Sequence, residues 1–233
     1  MRGRIVLAAS VALMCASAPL LPPFTLTLLT EGLIFGLFAM SLDLMVGYTR
    51  LYSFGHAAAY GLGAYSTALI LTHFGWPLPI GILTGVVVST LIAVPIAWIC
   101  TRSTGVSFAM LTLAFAQLGY AMLYRFKEFT GGSDGIGGIP RPVGPFGIDF
   151  FQGKLGYFYM VVFCLVTSFA FCTVLVTSPF GAVLAGIREN EAKMRALGYN
   201  TRAYKIAVVV VAYGLGSLAG ALYTAFAGFV APE

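Results

Sequence analysis

No Asp, Glu, Lys or Arg occurs between Arg50 and Arg102, a run of 51 positions. Shorter charge-free runs cover 5–30, 103–124, 155–187 and 206–232. A helix crossing the hydrocarbon core needs roughly 20 mainly apolar residues. Each run therefore holds at least one span, and the longest holds two. A soluble domain carries about 25% charged residues, whereas this chain carries 9% and is 59% hydrophobic. That excludes an ordinary soluble domain, and it excludes disorder, which needs the opposite balance. The reading is an all-α, polytopic transmembrane helix bundle.

Breakers divide the runs into about seven spans: 5–21, 26–47, 54–72, 80–100, 104–124, 155–177 and 205–230. Leu21-Pro22-Pro23 ends the first, and Gly75 with Pro77 and Pro79 separates the third from the fourth. Pro95 predicts a kink in the fourth. Arg2 and Arg4 precede an apolar run that ends in Ala16-Ser17-Ala18, so a cleaved signal is the alternative to a first span. Two connections are long. Residues 125–154 are rich in Gly and Pro, with no helical periodicity. Residues 178–204 open on Ser178-Pro179, an N-cap and first-turn proline. Phe180 to Leu197 reads as one or two amphipathic helices, with Gly198 and Asn200 as the stop.

Lys and Arg concentrate in cytoplasmic loops. With a cytoplasmic N-terminus, the inside holds Arg2, Arg4, Arg50, Arg102, Arg188, Lys193, Arg195, Arg202 and Lys205. The outside holds Arg125, Lys127, Arg141 and Lys154. This asymmetry places 125–154 outside as a loop and 178–204 in the cytoplasm. The net charge of +5 is thus a topology signal and no indication of nucleic acid. Gly32/Gly36, Gly81/Gly85 and Gly216/Gly220 are small-xxx-small pairs suited to close helix packing.

Catalytic constellations are absent from the sequence. There are two histidines, no HExxH, no GxSxG and no Walker lysine. Cys15, Cys100, Cys164 and Cys172 lie in apolar runs and suggest neither a disulfide framework nor a metal site. No enzyme activity and no cofactor of its own are expected. Ionisable residues inside spans are functional candidates by default. Glu31 and Asp43 qualify, although each also reads as an interfacial acid. His56 sits in Tyr52-Ser53-Phe54-Gly55-His56-Ala57-Ala58. That stretch is either a tight packing segment, with His56 bonded to neighbouring backbone, or a broken helix lining a path. Gln117 either faces the path or bonds a neighbouring helix. Asp43, His56 and Gln117 are the substrate-path candidates.

The segment 178–204 is dense in charge of both signs, which suits docking into a protein better than lying on lipid. Here Ser178-Pro179-Phe180-Gly181, Ile187-Arg188-Glu189-Asn190-Glu191-Ala192 and Ala196-Leu197-Gly198-Tyr199-Asn200, with Tyr204-Lys205, carry a resemblance. So do Gly47-Tyr48-Thr49, Ser53-Phe54-Gly55-His56-Ala57-Ala58 and Gly61-Leu62-Gly63-Ala64-Tyr65. Thr130-Gly131-Gly132-Ser133-Asp134-Gly135-Ile136 completes the set. Together these blocks resemble the branched-chain amino-acid ABC transporter permeases, the LivM-like branch. The matches run in order from about residue 32 to 233.

The resemblance implies a single permease domain of a bacterial inner-membrane importer for branched-chain or related amino acids, urea or short amides. It implies a second related permease, cytoplasmic ATP-binding subunits that hold the ATP, and a periplasmic solute-binding protein. Arg188, Glu189, Glu191, Ala192, Lys193, Arg195 and Gly198 would form the ATPase-coupling helix. No second alanine follows Ala192, so the coupling pattern is degenerate. Gly131, Gly132, Ser133, Asp134 and Gly135 would belong to the external loop. Family members carry further spans beyond the position of Glu233, so the domain is expected to be C-terminally incomplete. Two other readings stay open: an ion-coupled carrier or channel, for which a docking helix is superfluous, and a truncated, non-transporting membrane remnant.

Overall fold

The computed structural model describes residues 11, 13–139 and 153–232. Its main helices are α1 (Pro23–Thr49), α2 (Ala57–His73), α3 (Leu78–Cys100), α4 (Val106–Arg125), α5 (Lys154–Thr177), α6 (Pro179–Ala196) and α7 (Thr201–Ala227). Proline in the first turn starts α1, α3 and α6, where its missing N–H costs nothing. Left-handed residues stop α1 at Arg50 (φ 53°) and α7 at Gly228 (φ 70°).

Among the described residues, five helices, α1, α3, α4, α5 and α7, are long and apolar enough to cross a membrane. Helix α2 has 17 residues and is shorter than a usual span. Of the expected first span, 5–21, residues 5–10 and 12 lie outside the described residues; 11 and 13–17 are helical, and Ala18–Leu20 is a 3-10 turn. Helix α3 continues through Pro95 to Cys100. Helix α7 starts at Thr201, not 205, so Arg202 and Lys205 stand inside its first turns. Asn200 is its N-cap, accepting from the Ala203 N–H at 3.2 Å. The expected stop for the preceding segment is therefore the start of the next helix, and Gly198 (φ 90°) alone makes the turn.

Helix α7 is the axis of the bundle. It packs against α1, α2 and α3, while α5 packs on α1 and α4 lies at the periphery. Of the most apolar stretch of α7, 56% is buried, against 17% for α4. Glycine makes the close crossing possible. A Cβ added at Gly63 would stand 2.0 Å from the Ser217 carbonyl oxygen, and one at Gly220 would stand 2.0 Å from that of Tyr60. The Gly81/Gly85 pair faces α2 at Leu71, Thr67 and Gly63. Gly32 and Gly36 meet nothing within 4 Å. Two apolar layers result: Met45, Phe108, Leu184 and Tyr213 in one, and Ile34, Tyr65, Tyr157 and Leu222 in the other.

The all-α expectation has one small exception among the described residues. Strand β1 (Ile136–Gly137) pairs antiparallel with β2 (Phe229–Val230) just past α7. The Gly/Pro-rich connection also contains a helical turn, Lys127–Thr130, and a 3-10 turn, Gly132–Asp134. Hydrogen bonds made by Thr130 Oγ1 to the Leu123 and Phe126 carbonyls tie that turn to the end of α4. Residues 140–152 of this loop lie outside the described residues.

Candidate functional site

The charged segment folds as two helical pieces. In α6, Asn190 leaves helical geometry (φ −155°, ψ 97°), and its Oδ1 accepts from the Lys193 N–H at 2.9 Å. Asn190 thus caps the second piece as an N-cap residue does. The first piece buries Gly181, Val183, Leu184 and Ile187 against the bundle. Gly181 touches the Val176 backbone, where a Cβ would stand 2.0 Å from the carbonyl oxygen. The second piece folds back, with Met194 over Gly186. Between the pieces and the start of α7 lies a cleft of about 280 Å³ lined by Pro179, Ala182, Val183, Met194, Tyr199 and Tyr204.

Glu191 is the node that holds this arrangement. Its Oε1 accepts from Arg195 at 2.6 Å and from Thr201 Oγ1 at 3.1 Å, and its Oε2 accepts from Lys205 Nζ at 2.5 Å. Burial alone would raise the Glu191 carboxyl. The bonds from Arg195, Lys205 and Thr201 and the Lys205 charge outweigh it and hold the carboxyl below its ordinary value. Lys205 is almost fully buried, with its side chain 4% exposed, so Glu191 is its counter-ion. Two further anchors join α6 and α7 to the bundle. Arg188 donates to the Gly47 carbonyl at the end of α1 (2.6 Å), and Arg202 donates to the Trp98 carbonyl of α3 (2.8 Å). Arg102 and Arg202 both lie over the Trp98 ring, at 3.9 and 5.2 Å.

The predicted coupling residues therefore divide. Glu191 points inward, and Arg188 spends its guanidinium on α1. Glu189, Ala192, Lys193 and Gly198 are exposed. Arg195 does both, with 63% of its side chain exposed and one nitrogen on Glu191. Arg50, Arg102, Arg188, Lys193, Arg195, Arg202 and Lys205 all gather at one end of the bundle. Arg125, Lys127 and Lys154 stand at the ends of α4 and α5 on the other side.

The three path candidates do not converge. His56 is buried, and its Nε2 lies 2.7 Å from Ser41 Oγ. The Ser41 proton goes to the Phe38 carbonyl at 2.6 Å, so His56 Nε2 is the donor and Nδ1 is left without a partner among the described residues. The expected backbone partner is instead this hydroxyl. Of the irregular residues 51–56, Leu51, Ser53, Gly55 and His56 are buried, with Gly55 on the Thr112 backbone, whereas Tyr52 and Phe54 are exposed; α2 is unbroken after them. Gln117 is exposed on the outer face of α4 and bonds no helix among the described residues. Asp43 is exposed on α1.

In the external loop, Gly131 (φ 73°) and Gly135 (φ 67°) adopt backbone that side chains rarely take. A Cβ on Gly135 would stand 2.2 Å from the Val230 carbonyl oxygen. Gly132 is buried under Lys127, whereas Ser133 and Asp134 are exposed and bonded to each other at 3.2 Å. The glycines thus seat the loop on the β2 strand. Sequence reasoning missed Ser41, Trp98, Thr201 and Lys205 as partners. Lys205 carried the one usable signal, a cation opening an apolar run, which demands a nearby anion.

Comparison with known proteins decides the family. The model for the permease component of branched-chain amino acid transport systems matches residues 24–233. The chain belongs to this permease family. The high-affinity branched-chain amino acid transport system permease protein LivM of Escherichia coli K12 is 29% identical over 90% of this chain and 54% of its own length. LivM of Salmonella typhimurium LT2 is 28% identical over 88% of this chain and 53% of its own length. The probable LivM of Methanocaldococcus jannaschii is 31% identical over 29% of this chain and 20% of its own length. The chain thus spans about half the length of the two enterobacterial relatives. No solved structure matches. Family and helices together make this a multi-pass membrane protein of the permease family.

Proposed function

We propose that this permease is a subunit of an ATP-driven importer that carries branched-chain amino acids across the bacterial inner membrane. The relatives' names support that substrate class. The observation that carries the reading is α6. A transporter driven by separate ATPases needs a rigid element that spans the gap between ATPase and membrane helices. Helix α6 is bonded to α1 through Arg188 and to α7 through Glu191, while Glu189, Ala192, Lys193 and Gly198 face outward. Its cleft suits an apolar side chain of the ATPase. The positive-inside rule sets this cation-rich end in the cytoplasm. ATP is bound by the partner subunits.

A second, related permease would lie against the lateral faces. Phe24, Leu28, Gly32, Phe35 and Gly36 form one exposed stripe on α1, and Val106, Met110 and Leu118 are exposed on α4. A periplasmic solute-binding protein would approach the opposite end, near Ser133 and Asp134. The experiment is a gentle detergent pull-down of this chain from its native membrane, with wild type compared against Glu189→Arg and Lys193→Glu. Wild type should recover ATPase subunits and a second permease. Each charge reversal should lower ATPase recovery several-fold without lowering insertion. Full ATPase recovery in both variants would overturn the coupling role of α6.

A further inference from the structure

Asp43 stands six residues before the end of α1 at Thr49, about 9 Å along the helix. Its side chain lies over Gly47, where an added Cβ would stand 2.6 Å from Asp43 Oδ1. The carboxylate opens onto a cavity of about 280 Å³ between α1 and α5. Leu44, Phe169 and Val176 give it apolar walls, and Thr173 and Thr177 stand opposite Asp43. Thr173 Oγ1 donates to the Phe169 carbonyl and Thr177 Oγ1 to the Thr173 carbonyl, each at 2.8 Å. A hydroxyl has one proton and two lone pairs, so both oxygens remain free to accept. Among the described residues, no Lys, Arg or His lines the cavity. Among the described residues Asp43 has no ion-pair partner, and the nearby Arg188 is bonded to the Gly47 carbonyl instead. Asp43 is exposed in the chain alone, and a carboxylate within a membrane span is costly unless it is paired or lines a polar path.

We propose that this cavity binds an aliphatic primary ammonium. Asp43 is its counter-ion, the two threonine oxygens accept its remaining N–H bonds, and the apolar walls hold the carbon chain. Gly47 is the positioning residue that lets the carboxylate lie where it does. The inference deepens the permease reading, since the transported amino acid carries such an ammonium. The ethanolamine headgroup of a phospholipid carries the same chemistry. The test uses the 233-residue chain in nanodiscs of phosphatidylcholine and phosphatidylglycerol, which lack primary amines. Isopentylamine, L-leucine and 4-methylpentanoate are titrated by calorimetry.

The amine and leucine should bind, and the carboxylic acid should not. Asp43→Asn should weaken amine binding about tenfold or more, as expected on losing a charge-assisted hydrogen bond. Gly47→Ala should weaken it too, by displacing the carboxylate, and Thr173→Val should give a smaller loss in a chain that keeps its charge. Weaker amine binding in phosphatidylethanolamine nanodiscs would assign the headgroup as an occupant. Undiminished binding there would assign the free solute. Absent amine binding in wild type, or unchanged binding in Asp43→Asn with native helix content, would overturn the site. Either failure would leave the pull-down untouched, so the two readings fail separately.

Discussion

Glu191 shows how one residue can carry more than its neighbourhood in sequence suggests. Read along the chain, it is one of several charges on an amphipathic helix. In the fold it is the counter-ion of Lys205, fourteen positions away. That partner was not legible, because nothing local says which face of α6 meets the start of α7. Glu191→Gln leaves a buried ammonium without its counter-ion and should cost about 3 kcal/mol, the lower end for breaking a buried pair. Arg195→Ala removes a side chain that is 63% exposed and should cost under about 1 kcal/mol. Thermal unfolding in detergent distinguishes them. Glu191→Gln with Lys205→Met should recover most of the loss, since no charge is then stranded. The same node sets a pH dependence. The carboxyl is held below its usual value of 4.5 in the fold. Its contribution is therefore present above that value and lost as pH falls through the lower, folded one. The unfolding temperature should drop more steeply below about pH 4.5 in wild type than in Glu191→Gln, and equal slopes would count against the node.

At the scale of helices, the sequence announced where the spans are but not how they turn toward each other. Charge-free runs and prolines marked α1, α3, α4, α5 and α7 to within a few residues, because the bilayer imposes a length and breakers impose ends. Three glycine pairs looked alike in sequence. Two of them face inward, and Gly32/Gly36 faces outward. Rotation of a helix about its axis depends on all its neighbours, and apolar residues on every side give no moment to read it from. Gly63, which belongs to none of these pairs, makes one of the closest crossings, against the Ser217 backbone of another span. Gly63→Ala and Gly220→Ala each force a Cβ into a backbone oxygen. Each should destabilise by about 1–3 kcal/mol or more. Gly32→Ala should be neutral or slightly stabilising in this chain alone, since alanine favours helix by about 1 kcal/mol. Unfolding curves of the three variants test this. If Gly32→Ala lowers recovery of a second permease while leaving the isolated chain stable, the outward stripe on α1 is an interface.

The whole molecule has two chemically different ends, and that polarity is what a transporter of this family requires. Among the described residues, one end gathers seven cations around Trp98, Gly47 and Glu191 and presents α6. The other is closed by a glycine-rich loop pinned to β2, with Ser133 and Asp134 at its surface. Lys and Arg counts predicted this division before any contact was known, and the bonds Arg188–Gly47, Arg202–Trp98 and Lys205–Glu191 show why those cations share one end. The same counts assign an absolute direction, with α6 in the cytoplasm, and that direction is open to direct test. Single cysteines at Ser133 and Ala192 test it, in a background where Cys15, Cys100, Cys164 and Cys172 are replaced. An impermeant maleimide added to intact spheroplasts should label Ser133→Cys, and Ala192→Cys should react only after permeabilisation. Both positions are exposed, and the Ser133 side chain bonds its exposed neighbour Asp134, so labelling reports sidedness and not unfolding. The reverse pattern would turn the molecule over, place α6 in the periplasm and remove it from reach of any ATPase.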